Sequence, residues 1–307
     1  MNQIIDQSKN QLILLNFKDK VENVFDALDV ADNTRNEYKR RIKLFFDFLQ
    51  SRPFNCDSFL QFKQYLKNRN NLTVSTKSKY FITAKIFLKE LNRQGILPAD
   101  ITQNIKTFSQ SKKHKKDGLN DLEIQKVVSR IKGLKSIPQN TRLKAIFSLL
   151  IFQGLRQIEI CRLDVKDLDL INNIAFIQGK GQDDKESVDL HPETAIALDG
   201  YLKSNIIKDG ALFTSASNHC RNQRLTTKTI RTLVKDILRG LEIQKSTHGF
   251  RHFFTSKLIK AYKGDLLEVG RYTRHRSLEM LQVYNDNINR QADLPRFYKT
   301  FSGISFE

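Results

Sequence analysis

Apolar residues recur at helical spacing along most of this chain and alternate like a strand in only one place. That pattern predicts a mainly α fold with one small antiparallel β-sheet. In the first half the helical series are Phe17, Val21, Val24, Phe25, Leu28; then Tyr38, Ile42, Phe45, Phe46, Leu49; then Tyr80, Ala84, Phe87, Leu88, Leu91. Phe59, Leu60, Tyr65 and Leu66 predict a fourth helix, so residues 17–108 form a four-helix bundle whose aromatics read as core. Its exposed side is expected to carry Lys63 and Lys67, joined by Lys77, Lys79 and Lys85 from the next helix, either as a solvated face or as contacts to a polyanion.

Residues 109–118 are polar, basic and without apolar periodicity, with Lys112, Lys113, Lys115 and Lys116 among them. This is the composition of a linker, and it sets the domain boundary. Beyond it Asn120 and Glu123 have the spacing of a capping box, opening a helix whose apolar face is Leu122, Val127, Val128 and Ile131. A more apolar helix runs from Arg142 to about Gln153 and ends at Gly154, a residue suited to the left-handed position after a helix. The strand-like region follows: Ile174–Gln178, a Gly179-Lys180-Gly181 turn, then Glu186–Leu190. Helix returns afterwards, with Ile230, Leu233, Val234, Ile237 and Leu238 in one stripe.

Charge narrows the partner. Lys and Arg number 52 against 33 Asp and Glu, a formal +19 over 307 residues, and the excess is shared by both halves. Such an imbalance points to a polyanion, nucleic acid first. No apolar run approaches a membrane-spanning length and Met1-Asn2-Gln3 opens no secretory signal, so the expected setting is cytoplasmic, with no membrane partner. Cys56, Cys161 and Cys220 are odd in number and lack metal-site spacing; reduced thiols are expected, with no structural metal.

Four separated segments each bring a group that suits a phosphate. Arg156 follows an apolar helix and its glycine, beside the core; its ordinary alternative is a surface pair with Glu159. Lys180 sits between two glycines in the hairpin turn, where the plain alternative is a solvated lysine. His248 and Arg251, three apart at a helix start, share a face near unpaired amides. His248 and His252 have chelating spacing, but Gly249 stands where a metalloprotease has glutamate and no third ligand is near. Finally, His275 precedes Tyr284 by nine residues across a short amphipathic stretch.

In order and spacing, Gly-Leu-Arg-x-x-Glu at 154–159, the hairpin lysine, His-x-x-Arg at 248–251 and the histidine nine before a tyrosine resemble the tyrosine recombinase (phage integrase) family. The resemblance is close over the second half and looser over the first. It implies a helical core-binding (SAM-like) DNA-binding domain at 17–108 after an extension at 1–16. It also implies an α+β catalytic domain at 119–307, with a C-terminal tail at 285–307. It implies catalytic residues Arg156, Lys180, His248, Arg251, His275 and Tyr284, with Tyr284 the nucleophile of a 3′-phosphotyrosyl intermediate and no cofactor. The partner is then double-stranded DNA, bound by a homotetramer on two sites. The tail, with Phe297, Tyr298, Phe301 and Phe306, would dock on a neighbouring subunit. One departure stands out: members usually carry glycine where this chain has Arg274, which either adds a phosphate contact or changes the local turn. The implied activity is site-specific recombination by a mobile-element or phage-type integrase working at core sites. The alternatives are an Xer-like chromosome-dimer resolvase, an inversion switch, a type IB topoisomerase and a non-catalytic DNA-binding regulator.

Overall fold

The computed structural model describes residues 17, 19–50, 52–110, 118–215, 222–275 and 277–304. Lys112, Lys113, Lys115, Lys116, Cys220 and Phe306 lie outside the described residues, as do 1–16 and most of 109–118. The chain divides into two compact units, Met1–Ser111 and Lys112–Glu307.

The first unit is built on helices α1 (Val21–Asp26), α2 (Asp32–Leu49), α3 (Ser58–Lys67) and α4 (Val74–Arg93). Its core is phenylalanine: Phe25, Phe45, Phe59, Phe62, Phe81 and Phe87 are all sealed from solvent. Phe59 stacks on Phe81 at 4.4 Å and Phe45 meets Phe62 edge-on at 4.9 Å, the geometries that ring quadrupoles favour. With these rings buried, base stacking is not their work. The lysines divide differently from expectation. Lys67 and Lys79 are exposed, whereas Lys63, Lys77 and Lys85 are half-buried. The Lys63 amine lies 5.9 Å from the ring centroids of Phe81 and Phe108, Lys77 donates to the Lys67 carbonyl at 2.8 Å, and Lys85 donates to that of Ile105 at 3.3 Å. Long aliphatic stems let a lysine cover apolar surface and still satisfy its amine, which a helical wheel does not reveal.

In the second unit α5 (Asp121–Lys132) opens with the expected capping box. Asn120 accepts from the Glu123 amide and Glu123 from the Asn120 amide, each at 2.8 Å. The buried face of α5 is Ile124, Val127 and Ile131; Leu122 instead faces solvent at 69% exposure, because it lies one turn-position off that stripe. The next helix, α6 (Pro138–Phe152), begins four residues before the expected Arg142. Proline suits this start, since its missing N–H is one that a first turn leaves unpaired anyway. Ala145, Ile146, Phe147, Leu149 and Leu150 are buried around the whole circumference of α6, which makes it the central element of the unit. After α7 (Gln157–Arg162) come β1 (Leu168–Asp169), β2 (Ile174–Gln178) and β3 (Lys185–Asp189), antiparallel in the order β1-β2-β3. The hairpin is as expected; β1 is an addition, two residues long and too short to show alternation. The remaining helices are α8 (Pro192–Asn205), α9 (Thr227–Gly240), α10 (Thr247–Ala261), α11 (Leu266–Thr273) and α12 (Leu278–Thr300). α12 carries Tyr284 and continues as one helix through Pro295, so the expected tail is largely helical. Among the described residues no helix is long and apolar enough to cross a membrane.

Gly154 is the hinge between α6 and the site. Its φ is +57°, and a Cβ there would lie 2.4 Å from Cδ1 of Phe254. Left-handed strain and overpacking act together in Gly154→Ala, which is expected to cost about 2–4 kcal/mol in chemical denaturation. An unchanged unfolding midpoint would contradict this packing.

Candidate active site

The turn at Gly154 delivers Arg156 to the N-terminus of α7. There the Arg156 amide donates to Oε2 of Glu159 and its Nη1 to Oε1, both at 2.7 Å. The pair anticipated at the surface is therefore real but buried: Glu159 is 1% exposed. A carboxylate sealed this way is tolerable only with its cations in place.

Arg251, on the first turns of α10, is 2% exposed and pinned by two carbonyls. Its Nη1 donates to Gly154 at 2.9 Å and its Nη2 to Thr273. Burial, then the nearby Arg156, pushes its pKa down to about 10, still well above neutrality. The same helix places His248 and His252 with ring centroids 4.6 Å apart, and His252 lies 5.1 Å from the Tyr284 ring.

Between α11 and α12 the chain turns through Arg274, left-handed at φ +52°, then His275, before Ser277 caps the helix that bears Tyr284 by accepting from the Glu279 amide. His275 lies 6.1 Å from Tyr284, ring to ring. Burial first, then the charges of Arg251 and Arg156, pushes its pKa down to about 3, so it is neutral at physiological pH. Tyr284 is 6% exposed; burial raises its phenol to about 12, with Arg251 and Arg156 pulling the other way.

Five of the six expected residues thus surround one point: Arg156, His248, Arg251, His275 and Tyr284. The sixth, Lys180, stands exposed in the turn after β2, whose base Arg162 secures by donating to the Gly179 carbonyl at 3.1 Å. Two participants were given no role by the motif reading, His252, packed between His248 and Tyr284, and Glu186 on β3; Arg274, noted there as a departure, is the third. The Arg274 side chain is 5% exposed, and its Nη2 donates to Oε2 of Glu159 at 2.9 Å. Its Nε faces Oε1 of Glu186 at 3.4 Å. The left-handed conformation of Arg274 was foreshadowed by the glycine that the motif usually carries there.

Counting charges defines what the point can take. Three guanidiniums, Arg156, Arg251 and Arg274, face two carboxylates, Glu159 and Glu186, with the neighbouring imidazole of His275 neutral. Guanidiniums therefore outnumber carboxylates around the Tyr284 phenol, a setting that suits an anion such as a phosphodiester. Among the described residues no three His, Cys, Asp or Glu side chains gather to hold a metal ion.

Arginines and histidines gathered about a buried tyrosine, on a helical unit carrying one small sheet, fit the tyrosine class of DNA strand transferases. The model of the phage integrase family matches residues 120–290, more than half of the chain, and the protein belongs to that family, the tyrosine recombinases. Site-specific recombination is the activity that this membership carries. Tyrosine recombinase XerD of Lacticaseibacillus casei is 25% identical over 280 residues, covering 88% of this chain and 93% of its own. Tyrosine recombinase XerC of Shewanella amazonensis is 29% identical over 242 residues, covering 70% and 78%. Among solved structures, XerH recombinase bound to a palindromic difH substrate superposes with a TM-score of 0.72 at 20% identity, over 96% of this chain and 90% of its own. A lambda integrase dimer bound to a core site gives 0.69 at 13% identity, over 96% and 80%. These two share the fold.

The depressed His275 pKa has a measurable consequence. In the unfolded chain this imidazole takes up a proton below about pH 6.5, but in the folded protein only near 3. The unfolded state therefore binds the extra proton between those limits, and stability is lost as pH falls through that window. His275→Gln should flatten the decline in melting temperature between about pH 7 and 4.5; parallel curves for the two proteins would rule out a neutral buried imidazole.

Proposed function

We propose that the protein cuts and rejoins double-stranded DNA through a 3′-phosphotyrosyl intermediate, acting as a mobile-element or phage-type integrase. The observation that carries this reading is the gathering of Arg156 and Arg251 beside the buried Tyr284 phenol. In the cleavage step the Tyr284 oxygen bonds to phosphorus as the bond to the 5′ oxygen breaks. Arg156 and Arg251 hold the non-bridging oxygens while charge grows on them; planar guanidinium forks suit this work. The phenol must lose its proton, and His248, one ring removed from it across His252, is assigned as the base that takes it up. The departing 5′ oxygen must gain one, and Lys180, on a glycine-flanked turn free to follow the duplex, supplies it. His275, neutral, serves as a hydrogen-bond partner to the phosphate rather than as a proton carrier. The tyrosyl ester retains the phosphodiester energy, so a 5′ hydroxyl from a second duplex reverses the step without any cofactor.

Affinity for the duplex comes from the basic residues of both units, with the exposed Lys67 and Lys79 and the lysines at 112–116 first, and Lys63, Lys77 and Lys85 contributing their charge from beneath. The working assembly is a homotetramer on two sites. The last turns of α12 support a trans contact, because Phe297, Tyr298, Phe301 and Ile304 are each more than half exposed, an unusual outlay of apolar surface for a helix end. Leu281, Tyr284 and Ile288 of the same helix pack against Ile259 and Val269, so its first half belongs to the site. Truncation after Pro295 is therefore expected to preserve single-site binding in gel shifts and to abolish the paired-site complex. Undiminished recombination by the truncated protein would defeat the trans contact.

The similarity to Xer recombinases is equally consistent with chromosome-dimer resolution. Mapping where the protein becomes covalently attached on genomic DNA separates the two, since adducts would lie at the ends of a mobile element or at one chromosomal site. Tyr284→Phe should remove every adduct, both there and on a nicked suicide duplex of the mapped sequence. Adducts that survive Tyr284→Phe, or sequence-independent plasmid relaxation, would overturn the proposal.

A further inference from the structure

Arg274 occupies a backbone position that favours glycine, at φ +52°, and an arginine there carries a conformational cost. Its side chain is not spread on the surface in return. It is 5% exposed and runs inward to meet two carboxylates from different parts of the unit: Oε2 of Glu159 at 2.9 Å and Oε1 of Glu186 at 3.4 Å. Glu159 is the residue that holds Arg156 by its amide and its Nη1. Glu186 lies on β3, paired with Ile177 of β2, the strand that leads into the Lys180 turn. The backbone of Arg274 immediately precedes His275. One side chain therefore joins the arginine segment, the lysine hairpin and the loop before the nucleophile helix.

We propose that Arg274 is a positioning residue that sets the Lys180 hairpin against the scissile phosphate through Glu186. The inference rests on the reading of Lys180 as the proton donor to the 5′ oxygen. The hairpin is otherwise a short ribbon with its amine exposed at the turn, and β1 braces it with only two residue pairs. The Arg274–Glu186 ion pair, at 3.4 Å and without a hydrogen bond, links β3 to the Arg156–Glu159 pair, so the ribbon takes its orientation from the same carboxylate that orients Arg156. A carboxylate near a DNA phosphate is electrostatically unfavourable, and Glu186 is 41% exposed in its side chain. Electrostatics alone therefore predicts that its removal favours DNA, whereas a positioning role predicts slower chemistry.

The test uses the full-length protein and suicide duplexes of the mapped attachment sequence, with either oxygen or sulfur at the bridging 5′ position. A thiolate leaves without a proton, because thiols ionise near pH 8.5, so sulfur bypasses the proton donor. Glu186→Ala is expected to bind the oxygen duplex as well as the unaltered protein or better, and to form covalent adduct about tenfold or more slowly. On the sulfur duplex the two proteins should react at rates within about threefold of each other. Arg274→Gly, which relieves the backbone, should also be slow on oxygen, and adding Glu186→Ala to it should slow it no further. Lys180→Ala is the reference and must itself be rescued by sulfur. If it is not, Lys180 is not the donor, and that reading falls together with this inference. If Lys180→Ala is rescued but Glu186→Ala keeps its defect on sulfur, shows none on oxygen, or multiplies with Arg274→Gly, the positioning role of Arg274 alone is overturned.

Discussion

The Glu159 carboxylate is the anchor on which the rest of the site is arranged. It is sealed from solvent, and its two oxygens collect the Arg156 amide, the Arg156 guanidinium and the Arg274 guanidinium. Buried like charges repel, and three arginines could not share so small a volume on favourable terms without such a centre. Arg251 is held by a different device, the carbonyls of Gly154 and Thr273, which take its donors without cancelling its charge. Arg251 therefore keeps its charge beside that of Arg156, and an anion placed between them would relieve the repulsion.

The same burial sets the resting state of the chemical groups. Desolvation holds the Tyr284 phenol protonated and the His275 imidazole neutral, so nothing at the site is primed to react in isolation. The arginines already pull the phenol in the opposite direction, and an entering phosphate would loosen that influence by partly neutralising them. On the proposed reading, the proton for the leaving oxygen comes from a group that takes its place with the substrate. An exposed lysine on a short ribbon is such a group, since it acquires a defined position only from what the ribbon is tied to and what it touches.

Much of this arrangement was legible in the linear order of residues. Helical periodicity located the long helices, the Asn120–Glu123 spacing announced the cap of α5, and the glycine-flanked run between two strand-like segments announced the hairpin. The misreadings share one cause, which is that local pattern does not know which neighbour will cover a side chain. Leu122 fits an apolar series yet lies outside the contact with the core, and Lys63, Lys77 and Lys85 look like a charged face yet fold onto rings and carbonyls. The helix expected from Arg142 starts instead at Pro138, because its first turn lies ahead of the apolar run that marked it. A strand as short as β1 carries no period at all, and its pairing to β2 defines it.

At the site the division is sharper. Residue order alone determined the chemical inventory: two arginines, a hairpin lysine, histidines and a tyrosine, because a recurring spacing along four segments survives any rearrangement between them. Tertiary structure decided what was charged and what was tied to what. Glu159 changes from half of a surface pair to a buried shared anchor only when α7, the sheet and the loop after α11 close around it. Arg274, a departure from the usual glycine, gains its meaning only from carboxylates 115 and 88 positions away in the chain. Burial and long-range ion pairing are properties of the assembled volume, and free energy there depends on the distance between groups in space, which a string of residues does not contain.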